Sequence, residues 1–199
     1  ITIRDCLTNT TSFSTPATIP LSYRDQYRDA LETLGWSKSE NFRPYPINSR
    51  DRAAAMAQIP LTDHPGKQFV YHMGFSILGA VLEAASGQSM GQFFKEQIFD
   101  PLGMVDSDFY VPTGSLDRFP TCYMPRDNDG KVELVVQEAV ESSEKNIGPK
   151  VNFGVGGDNG GVLSTITDYA RLGQMLLNGG ELDGARILGR KSVDLMLAN

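Results

Sequence analysis

Apolar residues recur at helical spacing in several stretches of the chain. Tyr23, Tyr27, Leu31 and Leu34 share one face, with Ser22 and Asp25 as a capping-box-like start and Gly35 as a stop. Ser49 can cap a short Ala-rich helix over 50–58. Phe75, Leu78, Leu82 and Ala85 make the strongest stripe and predict a helix over 74–85, ended by Ser86-Gly87. Ser89 can cap the next helix, which runs through Ile98 and stops at Asp100-Pro101 and Leu102-Gly103. Thr165 with Asp168 opens a helix carrying Tyr169, Leu172 and Leu176 on one face, closed by Asn178-Gly179-Gly180. A final short helix falls near 192–197. One hairpin stands out: Asp127-Asn128-Asp129-Gly130 is a turn signal between Tyr123 and the strand Lys131 to Val136. Thr8 to Ser14, 41–49 and 59–68 read as loops, and Ile1 to Leu7 as a short apolar-polar stretch before the first of them. The pattern predicts an α+β, helix-rich chain with a small β hairpin.

The 199 residues are enough for one domain with a buried core. The apolar fraction of 40% and charged fraction of 21% are ordinary for a globular protein. No apolar run approaches the roughly 18 residues a spanning helix needs. The net charge is −6 and no Lys/Arg cluster is present, which excludes a nucleic-acid binder. The chain starts at Ile1 with no charged and apolar leader. We therefore expect either a removed leader or a piece of something longer, and the compartment stays open. Cys6 and Cys122 are too few for a disulfide scaffold, and two free, buried thiols are expected ahead of a bridge.

Several sources of chemistry fail on inspection. His64 and His72 have no zinc-ligand spacing with Cys or Glu, so no metal site is expected. An EF-hand register with Gly130 sixth would put Pro125 first and Val136 twelfth, and neither coordinates calcium. The glycines from Gly154 to Gly161 lack the Lys-Ser/Thr of a phosphate loop and include Asp158, so a tight packed turn is the better reading. There is no Gly-x-Ser-x-Gly elbow. Ser142 and Lys145 match Ser-x-x-Lys, but Glu138, Glu141 and Glu144 surround them. That acidic setting works against the neutral lysine such a pair needs, and the match reads as chance. Tyr71 is the remaining candidate. It follows the Pro65-Gly66 turn at the mouth of the strongest helix. A tyrosine there lies in a positive field that favours the phenolate, one route to a general base. A lone tyrosine in that place also serves as ordinary packing.

Around Tyr71 the sequence resembles the serine β-lactamase and penicillin-binding-protein-like family, closest to its class C and esterase branch. The resemblance is carried by Tyr71 to Tyr110, including Leu78-Gly79-Ala80-Val81-Leu82-Glu83 and Ile98-Phe99-Asp100-Pro101-Leu102-Gly103-Met104. It extends to Ile1-Thr2-Ile3-Arg4, to Gly160-Gly161-Val162-Leu163-Ser164-Thr165 with Asp168-Tyr169-Ala170-Arg171, and to Leu176-Leu177-Asn178-Gly179-Gly180. Nearly the whole chain is covered, in order.

The resemblance implies the helical lobe and adjoining segments of a β-lactamase/transpeptidase-like fold, as one incomplete domain over 1–199. It also implies a mechanism. A serine on a Ser-x-x-Lys helix attacks a carbonyl, the lysine and a tyrosine of Tyr-x-Asn shuttle its proton, and two backbone amides hold the oxyanion. Tyr71 matches the catalytic tyrosine, with His72, Met73, Gly160 and Gly161 lining the substrate cleft. The Ser-x-x-Lys element belongs before Ile1 and the Lys/His-Thr-Gly strand after the last residues, so the nucleophile is expected to lie outside this chain. The Asn of Tyr-x-Asn is Met73 here, and a thioether cannot replace an amide that donates and accepts. Gly160 stands where class C enzymes often carry an aromatic. Both departures point away from β-lactams and toward an esterase, an acyl-transferase or an inactive relative.

The expected partner is a small-molecule ester or amide substrate, with no cofactor, metal or nucleic acid. An incomplete lobe also implies exposed core surface and therefore self-association or a retained second fragment. Two alternatives stay open. One is a non-catalytic binding module of the same fold. The other is an unrelated fold that uses Ser142 and Lys145.

Overall fold

The computed structural model describes residues 1–13, 25, 53, 57, 60–71, 73–111, 113–128, 130–138 and 162–198. The predicted helices over 22–34 and 50–58 lie outside these, except at Asp25, Ala53 and Ala57. The Ala57 amide donates to the Ala53 carbonyl (3.0 Å), an i to i−4 helical bond.

The first element is a helix, α1 (Ile3–Leu7). Thr2 and Asp5 form a capping box: the Asp5 amide donates to Thr2 Oγ1 (3.2 Å) and the Thr2 amide to Asp5 Oδ2 (2.7 Å). The Asp5 carboxyl is held below its ordinary value, chiefly by that Thr2 amide. A strap over 8–13 follows, then the loop over 60–71. The helix α2 (Met73–Ser86) is next, and Gly87 at φ 71° ends it.

The predicted stripe on α2 is only partly the buried one. Ala85 is exposed, while Gly74, Ala80 and Glu83 are buried. The helix is apolar on most of its faces, so periodicity alone does not fix which face packs. Two contacts decide it. Gly74 lies against α1, and the Glu83 carboxylate accepts from the Met90 amide (3.1 Å) at the start of the next helix.

Ser89 caps α3 (Met90–Phe94) by accepting from the Gln92 amide (3.2 Å). The helix widens into a π turn over Lys95–Phe99, in which the Asp100 amide reaches the Lys95 carbonyl (2.9 Å). A 3-10 turn over Thr113–Arg118 precedes the hairpin of β1 (Cys122–Asn128) and β2 (Lys131–Glu138). The strands are antiparallel, with Tyr123 opposite Val136, Pro125 opposite Leu134 and Asp127 opposite Val132. Gly130 takes φ 80° and donates its amide to Asp127 Oδ1 (2.8 Å), as the turn signal requires.

The helix α4 (Ile166–Leu177) leads into a second small antiparallel pair, β3 (Glu181–Leu182) and β4 (Ala185–Arg186), and then α5 (Arg190–Leu197). Among the described residues, one hydrophobic core cluster lies between the turn after α3 and α4. Phe99, Leu102, Met104 and Met175 are buried together, with Phe94, Ile98, Leu172 and Leu176 packed against them. Leu102 and Met104 come from the Pro-Leu-Gly-Met block. Arg171 on α4 donates from Nε to the Leu102 carbonyl and pairs through Nη2 with Asp183. The fold class read from the sequence, helix-rich α+β with a small hairpin, holds.

Candidate functional site

Tyr71 stands at the junction of the loop over 60–71 and α2, with its side chain 68% exposed. Its backbone is held from both sides by one short stretch of chain. One residue before it, the Val70 amide donates to the Asn9 carbonyl (2.7 Å). Three residues after it, Gly74 lies on the Cys6 backbone, where a Cβ would overlap the Cys6 carbonyl oxygen. Cys6 is buried and free, and burial pushes its thiol up from the ordinary value. That makes it an inert packing group rather than a nucleophile.

Further rungs tie the loop to the strap. The Gly66 amide donates to the Thr10 carbonyl (2.8 Å), and the Thr62 amide to the Ser12 carbonyl (3.1 Å). Ser12 Oγ donates to the His64 carbonyl (3.2 Å). Thr11 and Ser12 are fully buried, and Asn9 nearly so. Asp63, whose carboxyl is held down first by the His64 amide and then by Lys67, closes the loop's outer edge (Lys67 Nζ to Asp63 Oδ1, 3.4 Å). The result is an exposed phenol on a fixed backbone. Such a group can exchange a proton with a molecule bound in front of it.

A second polar cluster forms around Asp168 at the start of α4. Asp168, 3% exposed, stands at the capping position read from Thr165-x-x-Asp168. Its amide donates to Thr165 Oγ1 (3.3 Å), but its carboxylate turns away from the cap. It accepts from the Asp106 amide (2.8 Å) and from Ser107 Oγ (2.9 Å), which also meets Ser164 Oγ at 2.8 Å. Asp108 and Leu163 exchange backbone bonds beside it (3.0 and 2.7 Å). Outside the cluster, Arg118 grips Asp106 with two bonds of 2.7 Å and holds its carboxyl below the ordinary value.

Of the other predicted site residues, Met73 begins α2. His72, Gly160 and Gly161 lie outside the described residues, as do Ser142 and Lys145. The residues that hold Tyr71 in place, Asn9, Ser12 and Gly74, carried no sequence signal of that role. The run Thr8 to Ser14 looks like a solvated loop, and nothing in its composition tells that Asn9, Thr11, Ser12 and Phe13 are buried. Among the described residues, no three His, Cys, Asp or Glu side chains come together as a metal-holding group, and no helix is long and apolar enough to cross a membrane.

The sequence profile of the β-lactamase family, named Beta-lactamase, matches residues 1–197. An uncharacterized protein of Mycobacterium tuberculosis is 32% identical over 143 residues, which is 72% of this chain and 33% of that protein. Lovastatin esterase of Penicillium rubens is 38% identical over 69 residues, 34% of this chain and 17% of the esterase. Among solved structures, unliganded simvastatin synthase of Aspergillus terreus is 25% identical with a TM-score of 0.65, over 100% of this chain and 41% of that one. The chain thus spans about a third or less of the curated relatives named here. With the family profile matching residues 1–197 and the fold shared, the chain belongs to the β-lactamase family.

Proposed function

We propose that this chain is the tyrosine-bearing part of a serine hydrolase that cleaves small ester or amide substrates through an acyl-serine. In this reading the nucleophile is supplied from outside these 199 residues, and the chain alone is inactive. Tyr71 moves the proton of the serine, and His72, Met73, Gly160 and Gly161 line the same cleft. The observation that carries the reading is the exposed Tyr71 side chain on a backbone clamped at Asn9 and Cys6. A proton-transfer group must be accessible and must also stay in place. The similarity to lovastatin esterase supports esters as the substrate class. Met73 supports it as well, because a thioether cannot offer the hydrogen bonds of an amide.

The test is turnover of p-nitrophenyl butyrate and of a chromogenic cephalosporin by the intact protein. Ester turnover should exceed β-lactam turnover, and Tyr71→Phe should lower ester kcat by about 10²–10⁴-fold. An unchanged kcat in Tyr71→Phe would sink the assignment.

Met73 also favours a second reading, a non-catalytic relative of the same fold. That reading expects no ester turnover from the intact protein. Exposed Ile3, Leu7 and Leu134 support a covering partner, either a second copy or another part of the same protein. Light scattering that finds a clean monomer of this chain would remove that part of the proposal.

A further inference from the structure

Ser12 is a serine in a conformation that suits glycine. Its φ is 60°, in the left-handed region where a Cβ crowds the following carbonyl, and its side chain is fully buried. Three hydrogen bonds run from this residue to the loop that ends at Tyr71. Its hydroxyl donates to the His64 carbonyl (3.2 Å), and its carbonyl accepts from the Thr62 amide (3.1 Å) and the Thr62 hydroxyl (3.1 Å). The rungs continue in antiparallel order, from Thr10 to Gly66 and from Asn9 to Val70, the residue before Tyr71. Asn9 is left-handed as well, at φ 54°, but asparagine enters that region readily. Serine does not, and what it adds over glycine is the hydroxyl on His64. A strained residue held in place by its surroundings is a mark of function.

We propose that Ser12 is a positioning residue for Tyr71: its hydroxyl on the His64 carbonyl fixes the loop over 62–70 and thereby the place of the phenol. The inference rests on the reading that Tyr71 moves the proton. Two variants separate positioning from stability. Ser12→Ala loses the hydroxyl and keeps the strained backbone, while Ser12→Gly loses the hydroxyl and relieves the strain. The melting midpoint of Ser12→Gly should therefore stand above that of Ser12→Ala. In the intact protein, both should speed deuterium uptake over 60–71 by about tenfold or more as the rungs open. Both should lower kcat for p-nitrophenyl butyrate by about tenfold or more, with KM little changed, as a small misplacement does. A purely structural residue would instead give a kcat that follows the melting midpoint. Wild-type kcat in Ser12→Gly, or unchanged uptake in both variants, would overturn the inference. Tyr71→Phe in the same assay tells the two failures apart. Activity kept there overturns the role of Tyr71 and this inference with it. Activity lost there but kept in both Ser12 variants overturns the role of Ser12 alone.

Discussion

Gly74 lies so close to Cys6 that a Cβ on Gly74 would overlap the Cys6 carbonyl oxygen and stand 3.0 Å from its Cα. The contact is backbone against backbone, so no side chain can swing aside to relieve it. It brings α2 onto α1 at the second residue of the helix, three residues past Tyr71. Gly74→Ala should therefore lower unfolding free energy by about 1–3 kcal/mol, the range for overpacking a tight contact. Urea denaturation checks this, and a midpoint equal to wild type would show that α1 moves freely.

The buried Asp168 is the acceptor for the half-buried backbone amide of Asp106 and for the buried Ser107 hydroxyl. Ser107 keeps Ser164 as a partner when the carboxylate is removed, but the amide loses its acceptor. Asp168→Ala should cost about 1–3 kcal/mol, the penalty for orphaning such a donor. Asp168→Asn keeps one acceptor oxygen and should cost less. Equal losses in the two variants, read from urea midpoints, would contradict the hydrogen-bond explanation.

The Asp106 carboxyl is held below its ordinary value of 3.8 by the Arg118 guanidinium. A depressed folded value means that the pair's contribution is fully present above the unfolded value. It is lost as the pH falls through the lower, folded one. Carboxyl NMR titration should place the Asp106 midpoint below 3.8, and Arg118→Gln should return it toward that value. Both groups face solvent, so the effect on melting at neutral pH should be small.

Gly173 sits in the interior of α4, and among the described residues no atom other than those of its chain neighbours and its own helix backbone lies within 4 Å of where its Cβ would be. Gly173→Ala should raise stability by about 0.8–1 kcal/mol through helix propensity. A loss in thermal or urea unfolding would mean that this face of α4 is covered in solution.

The sequence marks most element ends because their chemistry is local. Ser89, Thr165, Gly87 and the Asp127–Gly130 turn each act within four residues, and each does so in the structure. Helix α1 is missed although Thr2 and Asp5 are a capping box, because five residues are too few for a visible period. The π turn over Lys95–Phe99 and the β3–β4 pair leave no periodic signal either. In the candidate site, the role proposed for Tyr71 comes from the family motif, while Asn9 and Ser12 carry no such signal. Their roles come from hydrogen bonds between residues about fifty to sixty positions apart, which composition does not show. Asp168 is half legible: its cap is local, and its buried acceptor role reaches back to Asp106.

We propose that this chain carries the catalytic tyrosine and that the nucleophile lies on another part of the protein. Denaturing intact-mass measurement after fluorophosphonate treatment tests it most directly. The isolated chain should remain a single unmodified species of 21.8 kDa, while the intact protein should gain one adduct outside these residues. An adduct on this chain would contradict the account, and Ser142, beside Lys145, would be the first serine to map.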